Sequence, residues 1–143
     1  MKHIIIIALL CLSGLCACNE KDNVSNIIPY SSPGEISVKA SYKKISAEDA
    51  YQMIHGTDEY ILLDVRTEEE YNEKHIEGAL LIADYEILEK AEAELPDKSA
   101  LILIYCRSGR RSANAANELI EMGYTNVYDF GGIIDWPYDT ISK

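Results

Sequence analysis

The chain has 143 residues, 48% of them hydrophobic, and a formal net charge of -11. This length leaves room for one packed domain and little more. The acidic balance argues against a nucleic acid partner, because phosphate binding needs clustered Lys and Arg side chains, and it argues equally against a polybasic membrane patch.

The first residues are typical of an export signal: residues 1–3 are basic, and residues 4–15 are almost wholly apolar. That run is too short to cross a bilayer, which takes about 20 residues. It ends in a segment that looks like the bacterial lipoprotein cleavage box, with Cys18 as the lipidated residue. Cys16 is a poorer candidate because the bulky Leu15 would precede the cut. An ordinary cleaved signal that happens to hold cysteines is the alternative.

We therefore expect a signal peptide at 1–17 and a lipidated Cys18 at the start of a flexible tether, 18–40, which is polar and interrupted by prolines. The remaining residues, 41–143, form the predicted domain. The protein is then exported to the cell envelope and faces the periplasm or the cell exterior. Its only membrane contact is the lipid anchor.

Within the domain, apolar runs alternate with segments of helical spacing. Because strands that alternate with helices are typical of parallel sheets, the pattern predicts an α/β fold with a mostly parallel central sheet and helices on both faces. Ligands of such sheets bind at the carboxyl ends of the strands. Strands are predicted at 60–65, 78–82, 100–105 and 127–128, and helices at 46–56, 68–75, 84–95 and 112–122.

Cys106 is the most informative residue, since the other three cysteines lie in or beside the signal and no disulfide can form within the domain. It ends the most apolar strand and begins a short basic loop. Unpaired backbone N–H groups converge where a strand leads into a helix, and Gly109 permits the positive φ of a tight loop. Arg107, Arg110 and Arg111 add charge that does not titrate away. All three features favour an anionic sulfur.

The segment from Cys106 to Ser112 resembles the active loop of the rhodanese family, sulfurtransferases whose cysteine takes up sulfur as a persulfide. The resemblance extends from about 41 to 138. The chain departs from the usual sequence pattern of the family at Lys74 and at 81–83, and both positions lie outside the Cys106 loop. The other matching segments are Asp64-Val65-Arg66, Glu70-Tyr71, His75-Ile76-Glu77-Gly78-Ala79, and Gly131-Gly132 with Trp136.

The resemblance implies that Cys106 accepts sulfur from a small anionic donor such as thiosulfate and passes it to a thiol or cyanide acceptor. It implies no cofactor and no metal, and we expect a monomer. Asp64 and Arg66 would form a pair that supports the site. The persulfide would be cradled by backbone amides, and the donor bound by guanidinium groups, of the loop residues Arg107, Ser108, Gly109, Arg110 and Arg111.

Two other functions stay open. A cysteine phosphatase or arsenate reductase uses Cys-x5-Arg to grip a phosphate-like anion. Here Arg111 comes one residue early and Ser112 holds the arginine position, so the ring of amides is one residue smaller. The second alternative is a non-catalytic rhodanese-like binding module, although such modules commonly lose the cysteine that this chain retains.

Overall fold

The structure is a computed structural model that describes residues 40–57 and 59–143. The predicted signal peptide, the predicted lipidation site Cys18 and nearly all of the predicted tether lie outside these residues. In the part of the chain that is described, no helix has both the length and the apolar character needed to cross a membrane.

Five parallel strands form one sheet in the order β1-β5-β4-β2-β3. This confirms the predicted α/β fold with a parallel sheet. The edge strand β1 was not predicted, because two exposed residues carry no hydrophobic pattern. The strands are β1 (Lys43–Lys44), β2 (Ile61–Asp64), β3 (Leu80–Leu81), β4 (Ile102–Cys106) and β5 (Val127–Gly132).

Four α-helices connect the strands: α1 (Ala47–Gly56), α2 (Glu68–Glu73), α3 (Ile87–Glu94) and α4 (Arg110–Glu121). Single 3-10 turns lie at Asp84–Glu86 and Ile133–Asp135. Both α1 and α2 begin with a capping box, in which a Ser or Thr hydroxyl and an acidic side chain satisfy free N–H groups of the first turn.

The predicted start of the last helix at Ser112 was wrong, because α4 begins two residues earlier at Arg110. Gly109 precedes the helix with a φ of +96°, and the chain turns into the helix at once. Arg110 and Arg111 therefore belong to the first helical turn, and the loop proper is only 107–109.

The hydrophobic core has two parts, one on each face of the sheet. Residues of α3 and α4 pack on one face, and α1 and Trp136 pack on the other. The central strand β4 is buried along its whole length. Cys106 therefore lies at the carboxyl end of the most enclosed strand, beside the start of α4.

Candidate active site

The thiol of Cys106 lies inside a short loop that turns directly into α4. The side chain is buried, with the residue 1% exposed. The backbone N–H of Gly109 donates a hydrogen bond to Sγ at 3.1 Å. That N–H points at the sulfur because Gly109 adopts a positive φ, which other residues rarely do.

The surroundings of the sulfur act on its pKa in opposite directions. Burial raises the pKa of the Cys106 thiol, because the charged form loses solvation. Hydrogen bonds from the backbone and hydroxyl of Ser112 and from the backbone N–H groups of Ser108 and Gly109 stabilise the thiolate and outweigh that effect. The pKa of Cys106 therefore lies below that of an ordinary cysteine, and more of the protein carries a nucleophilic thiolate at neutral pH.

The end of β5 packs against the backbone of the Cys106 loop. Gly132 pairs with Cys106 in the sheet, and the register between β4 and β5 shifts at this point. A Cβ atom on Gly132 would lie 2.4 Å from the carbonyl oxygen of Arg107 and 2.6 Å from Cα of Ser108. Those separations are too short for any side chain, so only glycine allows this approach of the two backbones.

Ser112 joins the loop to the end of β5. Its hydroxyl is within hydrogen-bond distance of the carbonyl oxygens of Gly109, at 3.1 Å, and of Gly131, at 3.2 Å, and its one proton can be donated to either of these or to the Cys106 thiolate. The residue is fully buried. A small buried serine thus occupies the position at which a Cys-x5-Arg phosphatase loop would place its arginine. This leaves the phosphatase alternative without its anion-gripping residue.

Arg107 in the loop and Arg110 and Arg111 in the first turn of α4 have different surroundings. Arg111 forms two hydrogen-bonded contacts with the carboxylate of Glu70, at 2.7 and 2.8 Å. Arg107 and Arg110 are exposed, and neither forms an ion pair within residues 40–57 and 59–143. The structure therefore leaves Arg107 and Arg110 free to bind a small anion, whereas Arg111 is already neutralised.

A cavity of about 270 Å³ lies beside the loop, and Arg107 is one of its lining residues. Lys74 also lines the cavity, as do the apolar Ile133 and Ile134, which follow β5 in the chain. This cavity is smaller than two others, of about 610 and 630 Å³, that contain no loop residue. The complete lining is Arg66, Glu70, Glu73, Lys74, Arg107, Ile133 and Ile134.

Asp64 and Arg66 form a buried ion pair at the end of β2. The guanidinium Nε lies 2.9 and 3.0 Å from the two carboxylate oxygens, and Nη2 lies 2.6 Å from one of them. Nη2 also donates to the carbonyl oxygen of Lys74 at 2.6 Å. Arg66 therefore connects the end of β2 to the segment after α2, and Asp64 neutralises its charge.

Sequence reasoning missed the partner of Arg111 and the contact between Gly132 and the loop. Thr67 and Glu70 do have the spacing of a capping box, which predicts the start of a helix at this point but not the pairing of Glu70 with Arg111. Across the residues that the structure covers, no group of three or more His, Cys, Asp or Glu side chains is placed to hold a metal ion.

Comparison with known proteins identifies the family. Residues 46–137 match the rhodanese-like domain model. The chain is 41% identical over 73 residues to the thiosulfate sulfurtransferase PspE of Escherichia coli, which covers 51% of this chain and 70% of that protein. It is 34% identical over 96 residues to the thiosulfate sulfurtransferase GlpE of Coxiella burnetii, covering 66% and 87%.

Solved structures agree with the sequence relatives. A rhodanese with anions from E. coli superposes with a TM-score of 0.56 and 36% identity, covering 59% of this chain and 99% of that one. A rhodanese-related protein from Thermoplasma volcanium superposes with a TM-score of 0.62 and 30% identity, covering 71% and 100%. The chain therefore belongs to the rhodanese-like domain family and is a rhodanese-type sulfurtransferase.

Proposed function

We propose that Cys106 takes sulfane sulfur from a small anionic donor such as thiosulfate, holds it as a persulfide, and passes it to a thiol or cyanide acceptor. The observation that carries the proposal is a buried thiol that accepts a hydrogen bond from the backbone N–H of Gly109 in its own loop, an arrangement that favours a lowered pKa. PspE and GlpE, to which the chain is similar, are both thiosulfate sulfurtransferases.

The reaction begins when the Cys106 thiolate attacks the outer sulfur of thiosulfate. A new S–S bond forms at Sγ, the S–S bond of the donor breaks, and sulfite leaves with its electron pair. An acceptor thiolate or cyanide then attacks the outer sulfur of the persulfide and releases the Cys106 thiolate. No net oxidant is consumed, because one sulfur atom moves from donor to acceptor.

The burial of Cys106 favours a sulfur donor whose reactive end is narrow. With the residue 1% exposed, only a narrow group reaches Sγ without movement of the loop. A terminal sulfur atom fits that requirement better than a bulky group. Arg107, unpaired within the described residues and lining the neighbouring cavity, is well placed to attract the sulfonate end of such a donor.

Intact-protein mass spectrometry before and after thiosulfate treatment tests the proposal, with Cys106→Ser as the matched control. We expect a gain of about 32 Da on the native protein alone, reversed by cyanide with formation of thiocyanate. If neither thiosulfate nor other sulfane donors add mass, the binding-module alternative replaces it. Turnover of an aryl phosphate that is lost in Cys106→Ser would favour the phosphatase instead.

We also propose that the domain is exported and anchored through a lipid on Cys18, on the evidence of the apolar residues 4–15 and the cleavage box that follows. Metabolic labelling with radioactive palmitate should label the protein, and Cys18→Ser should abolish the label. Labelling that persists in Cys18→Ser, or that is absent from the native protein, contradicts the anchor.

A further inference from the structure

Asp129 is an acidic residue in the hydrophobic interior that the sulfur chemistry does not use directly. It lies on β5 and is fully buried. One carboxylate oxygen, Oδ1, accepts a hydrogen bond from the backbone N–H of Gly131 at 3.0 Å. The other, Oδ2, has no protein partner among the residues that the structure describes. Burial of a carboxyl group is unfavourable when one of its oxygens has no hydrogen-bond partner, so the presence of Asp129 here needs a structural or functional reason.

The hydrogen bond of Asp129 spans an irregularity in the sheet. Ile104 pairs with Asp129, but two residues later Cys106 pairs with Gly132, so β5 contains one residue more than β4 between these pairs. This is a bulge in β5, and bulges commonly redirect a chain beside an active site. The Asp129 carboxylate fixes the conformation of the bulge because it binds the N–H of Gly131 inside it.

The bulge contacts the sulfur loop directly. Gly132 approaches Arg107 so closely that a Cβ atom would lie 2.4 Å from its carbonyl oxygen. The carbonyl oxygen of Gly131 is within reach of the Ser112 hydroxyl, which is one of the groups that lower the pKa of the Cys106 thiol. A shift of the bulge would therefore move both the backbone of the loop and the hydroxyl beside the sulfur.

We propose that Asp129 is a positioning residue for the sulfur site: its carboxylate holds the β5 bulge in the place that aims the loop donors at Sγ of Cys106. Asp129 acts only through Gly131 and Gly132, and it does not touch the donor. The proposal rests on the proposed function in naming Cys106 as the reactive thiol. Its test measures the thiol itself, so failure of sulfur transfer and failure of this inference are distinguishable.

The test is the pH profile of Cys106 alkylation by iodoacetamide in the full chain, followed by mass spectrometry of the peptide that contains Cys106. In Asp129→Ala, the midpoint should rise toward that of an ordinary thiol, and the rate at neutral pH should fall several-fold. Asp129→Asn keeps an acceptor for the Gly131 N–H and should restore the native profile.

Val127→Ala is the matched control, because Val127 is buried on the same face of β5 and loses only packing. It should lower the melting temperature and leave the alkylation midpoint unchanged. Should Asp129→Ala fail to fold, Asp129→Ser offers a shorter and weaker acceptor and should give an intermediate midpoint. A native midpoint in Asp129→Ala, or in Asp129→Ser if only that variant folds, would overturn the proposal, as would an equal shift in Val127→Ala.

Discussion

The carboxylate of Glu70 binds the guanidinium group of Arg111 through two contacts, of 2.7 and 2.8 Å, that join the start of α2 to the start of α4. The same carboxylate accepts the backbone N–H of Thr67, the cap of α2. One acidic side chain therefore completes the cap of α2 and neutralises the charge of Arg111 in the first turn of α4. We therefore expect an anionic donor to bind Arg107 and Arg110, which form no ion pair among the described residues.

Replacement of Glu70 by Gln should release Arg111 toward the anionic donor. We expect the KM for thiosulfate to fall several-fold, and the free energy of unfolding to fall by about 1 kcal/mol as the ion pair is lost. Steady-state kinetics and urea denaturation measure the two effects. Glu73→Gln is the control, since Glu73 lines the same cavity and does not contact Arg111. Equal changes in both variants would contradict a specific role for the Glu70–Arg111 pair.

The lowered pKa of Cys106 should make part of the stability depend on pH. Above about pH 8.5 the thiol ionises in the folded and unfolded chains alike, and the folded-state preference for thiolate is fully expressed. As the pH falls through the lower folded-state pKa, that contribution is lost. The difference in unfolding free energy between the native protein and Cys106→Ser should therefore grow from pH 6 to pH 9.5. Urea denaturation under reducing conditions measures it, and a constant difference would refute the lowered pKa.

Substitution of Gly132 by Ala should damage both stability and reactivity, because the added Cβ would lie 2.4 Å from the carbonyl oxygen of Arg107. Overpacking of this kind costs about 1–3 kcal/mol. We also expect slower alkylation of Cys106, since the loop must move to make room. Gly56→Ala is the control, because a Cβ there has no neighbour within 4 Å. A Gly132→Ala variant with native melting and native alkylation would show that the backbones of Gly132 and Arg107 leave room for a methyl group.

The buried pair of Asp64 and Arg66 should be far more sensitive to loss of one partner than to loss of both. Asp64→Ala leaves an unpaired guanidinium at a residue that is 3% exposed, and such a change costs about 3–5 kcal/mol. The double variant Asp64→Leu/Arg66→Met removes both charges and should be less destabilised than Asp64→Ala. Urea denaturation of the single and double variants decides between these outcomes. If the loss of unfolding free energy in the double variant equals the sum of the losses in the two single variants, the two side chains act independently.

Local patterns in the sequence determined much of the fold. The apolar run that became β4 and the alternation of strand and helix both depend on neighbours within a few residues, and both were readable in order along the chain. The prediction that Cys106 is the reactive residue also rests on its neighbours in the chain. The start of α4 was misplaced because the helix propensities of Arg110 and Arg111 do not reveal where a glycine turns the chain.

Only the tertiary structure decided which groups act on the sulfur and which are already occupied. The partner of Arg111 lies 41 positions earlier, and the carbonyl that Ser112 reaches in Gly131 lies 19 positions later. The role inferred for Asp129 depends on one extra residue in β5 relative to β4. Such relations follow from how strands align and how closely backbones pack. No pattern of neighbouring residues encodes them, because the same loop sequence could have met different partners on another arrangement of the sheet.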